Sequence, residues 1–589
     1  MKKISLLKKI ALGAGLLLFA TSMSAKTIFL AGENNGGKWE NDGLSASSPA
    51  VLHTVTLYGN SMMDGILEDK DVIVIMPGVN LIEEPINIEE FEVTIIGACT
   101  LNDVNFNASG NSIIDGGNET QLFSIANDAN VTFGQLTFRN AKSEFGGGAA
   151  ITVDAATAHI GNCGFINNAA VGSSDDLNAY GGAIRAVSGA TVNLYDVVFD
   201  GNTAFRGGAI SINGATLKAE YCYFQNNHTV YSDGEARGGV MFLSDATVTL
   251  SFCDIRGNSS TAGGGVFFIV GNSTTIINHS AIIGNNSGDR YNLETETGAG
   301  DNHGGVFYFG GTDPNTTIYN TTIANNFCKF DAVGGVLCWG GGTFTMINVT
   351  ASGNFTYGNI DHCGGFKFTD NAKVNIYNCI IERNYTKADN SWSDIYFDPN
   401  NANIAINVEG SVCGATRAID HDIIVSNDNS YLTYSYDPES KDDVEGNPNR
   451  NESGISIEGL VRNLCFPLKD NAPAKTLGWE ELLFNYTDDD QFMNVRVPVS
   501  GKIYAGAVQI LESNASSLVN PVRAANNPVY AAYGDTDICG VGIYDIAPDG
   551  SDAVVVGYYT ILGQKLSNEP EKGLFIVKYS NGKSIKVLK

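Results

Sequence analysis

Short runs of alternating apolar and polar side chains fill the chain from about residue 90 to 400. In Ala190-Thr-Val-Asn-Leu-Tyr195, Val192 and Leu194 would face one way and Thr191 and Asn193 the other. Thr317-Ile-Tyr-Asn320 and Val374-Asn-Ile-Tyr377 repeat the pattern. Period-two alternation is the spacing of a half-buried strand, and no long window offers a helical stripe in its place. Two motifs punctuate these strands. A Gly-Gly pair followed by a small or apolar residue starts at Gly147, Gly181, Gly207, Gly238, Gly264, Gly304, Gly334 and Gly364. Between the pairs, an apolar residue is followed three later by asparagine. The copies are Phe165 with Asn168, Phe199 with Asn202, Phe224 with Asn227, Ile255 with Asn258, Ile283 with Asn286, Ile323 with Asn326, Ala351 with Asn354 and Ile381 with Asn384. A repeat of roughly 30 residues built from short strands is the coil of a solenoid. The pattern predicts an all-β protein: a right-handed parallel β-helix followed by a small C-terminal β domain.

Each recurring residue has an expected role. Glycine at a corner tolerates positive φ and lets backbones approach. Ala183, Ala209 or Val240 after the pair is small enough for a narrow core, and the Phe or Ile of the second motif would stack on its counterpart one coil away. The asparagine would occupy a left-handed turn, its amide joining a ladder of hydrogen bonds. Cys163, Cys222, Cys253 and Cys379 each stand two residues before that Phe or Ile. With no CxxC anywhere among 11 cysteines, buried free thiols are expected in place of a disulfide framework or zinc site.

The ends have other patterns. Lys2, Lys3, Lys8 and Lys9 precede an apolar run from Ile10 to Ala20, and small residues surround Ala25. This reads as a secretory signal over residues 1–25, so an exported protein is expected. Residues 26–69 read as an N-terminal cap, 70–400 as the β-helix with its eight repeats, 401–510 as closing coils, 511–535 as a linker and 536–589 as the terminal domain. In that last stretch, Gly573-Leu-Phe-Ile-Val-Lys578 and Ser584-Ile-Lys-Val-Leu-Lys589 flank Asn581-Gly582, a hairpin signal.

Several of these segments resemble known families. Gly181-Gly-Ala-Ile184, Gly207-Gly-Ala-Ile210, Phe165-Ile-Asn-Asn168 and Phe199-Asp-Gly-Asn202 are similar to the repeats of polymorphic outer-membrane proteins, secreted or surface β-helix proteins that are often adhesive. Ala472-Pro-Ala474 and Ile503-Tyr-Ala-Gly-Ala507 are similar to the closing segment of choice-of-anchor proteins. Tyr559-Thr-Ile-Leu-Gly-Gln-Lys-Leu566 and the strands after it resemble the sorting domain read by the type IX secretion machinery of Bacteroidota. That resemblance implies the machinery as a partner, and passage across the outer membrane to the cell surface or beyond.

Composition narrows the function. A net charge of −29, made more negative by loss of the signal lysines, repels phosphates and excludes nucleic acid as a partner. HExxH, GxSxG and P-loop motifs are absent. The candidate site is a set of acidic insertions entering just before Gly-Gly: Asp175, Asp176, Asp233, Glu235, Glu294, Glu296, Asp301 and Asp361. Stacking would bring them to one edge, and a solvated acidic edge, an ion site or a catalytic site are all open readings. Clustered carboxylates can take Ca²⁺, the one cofactor the sequence suggests. Arg237, Arg290 and Lys329 are candidates for the proton-abstracting base of a polysaccharide lyase on the same fold. Trp339, Trp392, Tyr231 and Tyr291 are candidates for sugar stacking, and His303 and His362 lie next to Gly-Gly pairs. No catalytic residue is assigned. Non-catalytic adhesion, or glycan or host-surface binding by loops on a rigid rod, is the expectation, with a calcium-assisted polysaccharide lyase or glycoside hydrolase as the alternative.

Overall fold

The structure, a computed structural model, describes residues 26–39, 41–52, 69–98, 111–144, 146–171, 179–230, 236–288, 303–310, 313–328, 337–339, 341–356, 363–369, 371–386, 391–397, 404–413, 416–417, 424–425, 490–491, 505–507, 555–560, 565–566, 574–579 and 584–588. Among them, strands stack in parallel, coil upon coil, as a β-helix. One coil shows the unit. Ile184–Val187 lies in a twelve-stranded sheet, and Thr191–Asp200 runs through a bend. Thr203–Ala204 then lies in a ten-stranded sheet, and the chain returns to Gly207-Gly208. The long middle strand bends at Asp196, where φ is +61°, so one 25-stranded sheet wraps two sides of the rod.

The second motif forms an unbroken register: Phe138, Phe165, Phe199, Phe224, Ile255, Ile282, Ile323, Ala351 and Ile381 pair in order. Rings of neighbouring coils lie flat on one another, with centroids 4.8 Å apart for Phe138 and Phe165 and 4.9 Å apart for the next two pairs. Beside them the asparagine amides form the expected ladder. Asn168 Nδ2 donates to Asn202 Oδ1 at 2.9 Å, and the chain continues through Asn227, Asn258, Asn285, Asn326, Asn354 and Asn384. It ends on the carboxylate of Asp394, 2.8 Å from Asn384 Nδ2.

Two expectations need correction here. The ladder position is Ile282 with Asn285, one residue before Ile283 and Asn286. Ala281-Ile-Ile283 and Asn285-Asn286 satisfy the motif in either register. The left-handed residue decides it: Gly284, at φ +66°, must come immediately before the ladder asparagine. The same geometry corrects the role given to asparagine. Positive φ belongs to the residue before it, Asn167, Gly201, Asn226 or Gly257, while the ladder residue itself does the hydrogen bonding.

The Gly-Gly pair divides its work. Gly207 has φ +67°, and a Cβ there would lie 2.2 Å from its own coil's Ile210 carbonyl. A Cβ on Gly208 would lie 2.2 Å from the Gly239 carbonyl of the next coil, so coil spacing itself demands glycine. Cys163, Cys222, Cys253, Cys328, Cys363 and Cys379 are buried and form no disulfide. Burial pushes the Cys222 thiol well up and that of Cys363 up to about 12, so both stay protonated and inert.

At the N-terminus, Thr27–Ala31 pairs in parallel with Val72–Ile75 and with Ala50–Val51. Asn80, buried in the strand Gly78–Leu81, donates to the carbonyls of Met76, Gly78 and Ile113 and accepts from the Gly32 amide. At the C-terminus, Val555–Thr560, Lys565–Leu566, Leu574–Tyr579 and Ser584–Leu588 form an antiparallel four-stranded sheet.

Candidate binding stripe on the Gly-Gly sheet

All eight acidic candidates, Asp175, Asp176, Asp233, Glu235, Glu294, Glu296, Asp301 and Asp361, lie outside the described residues, as do Arg290, Lys329, Tyr231, Tyr291 and His362. Trp339 and Trp392 end the short strands Leu337–Trp339 and Ser391–Trp392. The described chain resumes at the feet of the insertions. Ala179 and Ala236 are buried with Ala170, Ala204 and Phe205 in a small apolar cluster. The carbonyls of Ala179 and Ala236 accept from Phe205 and Ala262 of the following coils at 3.0 Å. The residues that follow two of the insertions are thereby fixed on the rod.

Directly after these feet, two columns of side chains stand on the outside of the twelve-stranded sheet. The residue before each Gly-Gly pair supplies the first column: Tyr180, Arg206 and Arg237 pair in register, then Gly263, then His303. The second residue of each following strand, its first outward position, supplies the other: Arg185, Ser211, Phe242, Phe268 and Tyr308. The columns interlock diagonally. The Arg206 guanidinium carbon lies 5.3 Å from the Phe205 ring centroid, 5.6 Å from Phe268, 5.7 Å from Phe242 and 6.0 Å from Tyr180. Arg237 sits 4.8 Å from the Tyr308 ring and 5.4 Å from Phe268, and Arg185 lies 5.8 Å from Tyr180.

The rings also stack among themselves: Tyr180 with Phe242 at 5.3 Å, Phe268 with Tyr308 at 5.4 Å, and His303 with Tyr308 at 5.2 Å. Gly263 leaves the space into which Tyr308 leans, since a Cβ there would meet the ring at 3.3 Å. Lys367 lies over Tyr396 at 4.9 Å further along the sheet.

Phe242 and Phe268 are buried by their neighbours, whereas Arg185, Arg206, Arg237, Tyr180, Tyr308 and His303 keep part of their surface. Each cation held on an aromatic face gains about 0.5–2 kcal/mol, rising as water is excluded. Burial lowers the Arg185 pKa, with Tyr180 and Asp154 opposing it, and the group stays charged near neutrality. The Arg237 Nε–H is buried and makes no hydrogen bond. A row of fixed cations on an acidic rod presents planar N–H donors at the coil repeat, about 4.8 Å. Chemically, that suits carboxylate or hydroxyl acceptors on an extended ligand.

Sequence reading found Arg237 and His303 and missed the rest of the stripe. Its signal is the fourth residue after the first glycine, which is Arg185, Phe242, Phe268 or Tyr308 where an outward strand position is ordinarily small and polar. Among the described residues, no group of three His, Cys, Asp or Glu is arranged to hold a metal ion.

No family model matches the chain, and no curated protein matches it significantly. Among solved structures it is similar to the pectate lyase Pel9A, at 14% identity and a TM-score of 0.37, over 83% of this chain and 98% of that one. It is also similar to a PL6 family polysaccharide lyase from Pseudopedobacter saltans, at 13% identity and a TM-score of 0.27, over 61% of this chain and 83% of that one.

Proposed function

We propose that this protein is an exported surface solenoid that binds an extended glycan along the arginine–aromatic stripe and the loops rooted beside it, without cleaving the chain. One observation carries the reading. Arg185, Arg206 and Arg237 are immobilised on rings in neighbouring coils, on the outside of a chain whose net charge is −29. Packing a cation on aromatic faces costs side-chain freedom, and one ordered surface repeated coil after coil recovers that cost through many weak contacts to a repeating partner. Export is supported by the basic and apolar residues before Ala25, and type IX sorting by the strands around Asn581-Gly582.

The chain from Lys26 onward is incubated with acidic and neutral polysaccharides, with and without Ca²⁺, while retention on the protein and polymer length are both followed. Retention of one glycan at unchanged length, weakened about tenfold in Arg206→Ala/Arg237→Ala, is expected. Shortening of the polymer would establish the lyase or hydrolase reading in its place.

A further inference from the structure

Two inward columns of the 25-stranded sheet turn polar at one level of the rod. The first column runs Val192, Leu217, Val248, Thr275, Thr316, Phe344 and Val374. Thr275 and Thr316 face each other from neighbouring coils, at most 1% exposed, and their Oγ1 atoms make no hydrogen bond among the described residues. Five residues on in each coil stand Ser280 and Thr321, fully buried, where the coils on either side hold Cys222, Cys253, Val349 and Cys379. Both hydroxyls turn back on their own coil: Ser280 Oγ donates to the Asn278 carbonyl at 2.7 Å and Thr321 Oγ1 to the Tyr319 carbonyl at 2.9 Å. The Ser280 amide reaches Thr321 Oγ1 at 3.4 Å, against 3.0 Å from the Cys253 amide to Ser280 Oγ one level back. At each other level of these columns from Val192 to Val374, at least one of the two facing residues is apolar. The outer corner of the sheet changes at the same level. Tyr221, Phe252 and His279 stack ring on ring at 4.9 and 4.8 Å, whereas Asn320, Asn348 and Asn378 form a series of amide bonds. Rings give way to amides where Asn320 Nδ2 donates to His279 Nε2 at 3.1 Å.

We infer that the rod is two cooperative blocks, the coils up to Ser287 and the coils from His303 on, and that it opens first at the joint between them. The stability of stacked coils is close to a sum of coil and neighbour contributions, so the weakest neighbour contact decides where the stack parts. At this joint Thr275 and Thr316 have given up water without gaining a partner, and Ser280 and Thr321 direct their hydroxyl hydrogens into their own coils. Methyl groups and thiols that pack coil on coil elsewhere are missing here. The joint is closed at rest, since Asn285 donates to Asn326 at 2.9 Å and the Phe267 and Phe307 rings stack at 5.0 Å across it. It also lies under the arginine–aromatic stripe. Arg237 and Phe268 on one block reach Tyr308 on the other, at 4.8 and 5.4 Å, so opening divides the stripe in two. Openings confined to one level are the low-energy end of a protein's unfolding spectrum.

Native cysteines report the opening without any substitution. Cys328 lies at the joint, in register with Ser287, while Cys163 and Cys222 lie within the first block, and all three are buried. Iodoacetamide labelling of the chain from Lys26 under native conditions, read by peptide mass spectrometry, should reach Cys328 at least about tenfold sooner than Cys163 or Cys222. Thr275→Val/Thr316→Val keeps the side-chain shape and removes both hydroxyls. It should slow labelling of Cys328 about tenfold, leave Cys222 unchanged, and slow hydrogen exchange in peptides covering 274–278 and 315–319. The comparison of thiols in the unaltered chain decides the matter if the double variant does not accumulate. One rate for the three cysteines, or a Cys328 rate that the double variant leaves unaltered or lowers in step with Cys222, overturns the joint.

Discussion

Single positions in this rod are constrained by what the next coil places opposite them. Asn285, fully buried, donates to Asn326 and to the Ile255 carbonyl and accepts from Asn258. Asn285→Ala should cost about 3 kcal/mol because it strands several buried partners, whereas Asn286→Ala should cost under about 1 kcal/mol. Denaturant titration of both variants checks the register, and equal losses would return the ladder to Asn286. Asp200 gives a pH-dependent case. Burial pushes its carboxyl up to about 6, with the Asn226 amide, 3.0 Å away, opposing the shift. The folded chain therefore holds a proton that the unfolded chain has released between about pH 4 and 6, so this group's contribution to stability falls as pH rises through that window. Asp200→Asn should raise stability by about 2 kcal/mol at pH 7 and change it little at pH 3.5, as thermal melts at the two values would reveal. The glycines and ladder asparagines were legible as single letters recurring at fixed spacing. The one-residue slip at Asn285 was not, since two adjacent asparagines look alike until a left-handed glycine chooses between them.

Strands and stacks are where sequence periodicity was strongest. The inward column from Phe165 to Ile381 follows from counting three residues back from each ladder asparagine, while Phe138, three before Ala141, continues it without one. Phe199 touches a ring above and a ring below at 4.9 Å, so Phe199→Ala should open a cavity between two coils and cost about 3–5 kcal/mol. Loss of cooperativity in the melt, in addition to a lower midpoint, is the expected sign that neighbouring coils have been uncoupled. The outward columns were harder to foresee. An outward residue carries no burial signature, and Arg206 reaches rings of two following coils, so the stripe emerges only once every coil is aligned on its glycine. The acidic insertions, which share a place in the repeat, lie outside the described residues, and only the residues that follow two of them are seen. Those residues, Ala179 and Ala236, are fixed in a cluster with Phe205, and such small residues are unremarkable in the sequence.

On the scale of the molecule, a solenoid tolerates changes of length that a globular core does not. Excising residues 238–263, one coil of 26 residues, would join Arg237 to Gly264, the residue that follows the next member of its column. Asn227 would then face Asn285 and Phe224 would face Ile282. The shortened protein should keep its strand content per residue by circular dichroism and lose only a few degrees of melting temperature, because each coil is stabilised chiefly by its two neighbours. Collapse of the strand signal would mean that this coil carries a bond no neighbour can replace.

The end of the amide ladder sets a different limit. Each ladder asparagine gives its backbone N–H and one side-chain hydrogen to the coil ahead, and the other side-chain hydrogen to a carbonyl of the coil behind, so the series has a direction and leaves two donors to be met at its end. Asp394 takes two hydrogens from Asn384, through its backbone and side-chain nitrogens, and has none to pass on. It works as punctuation: a carboxylate closes the sentence, whereas an amide in its place would leave a comma at which another coil, or another molecule's edge, could continue the text.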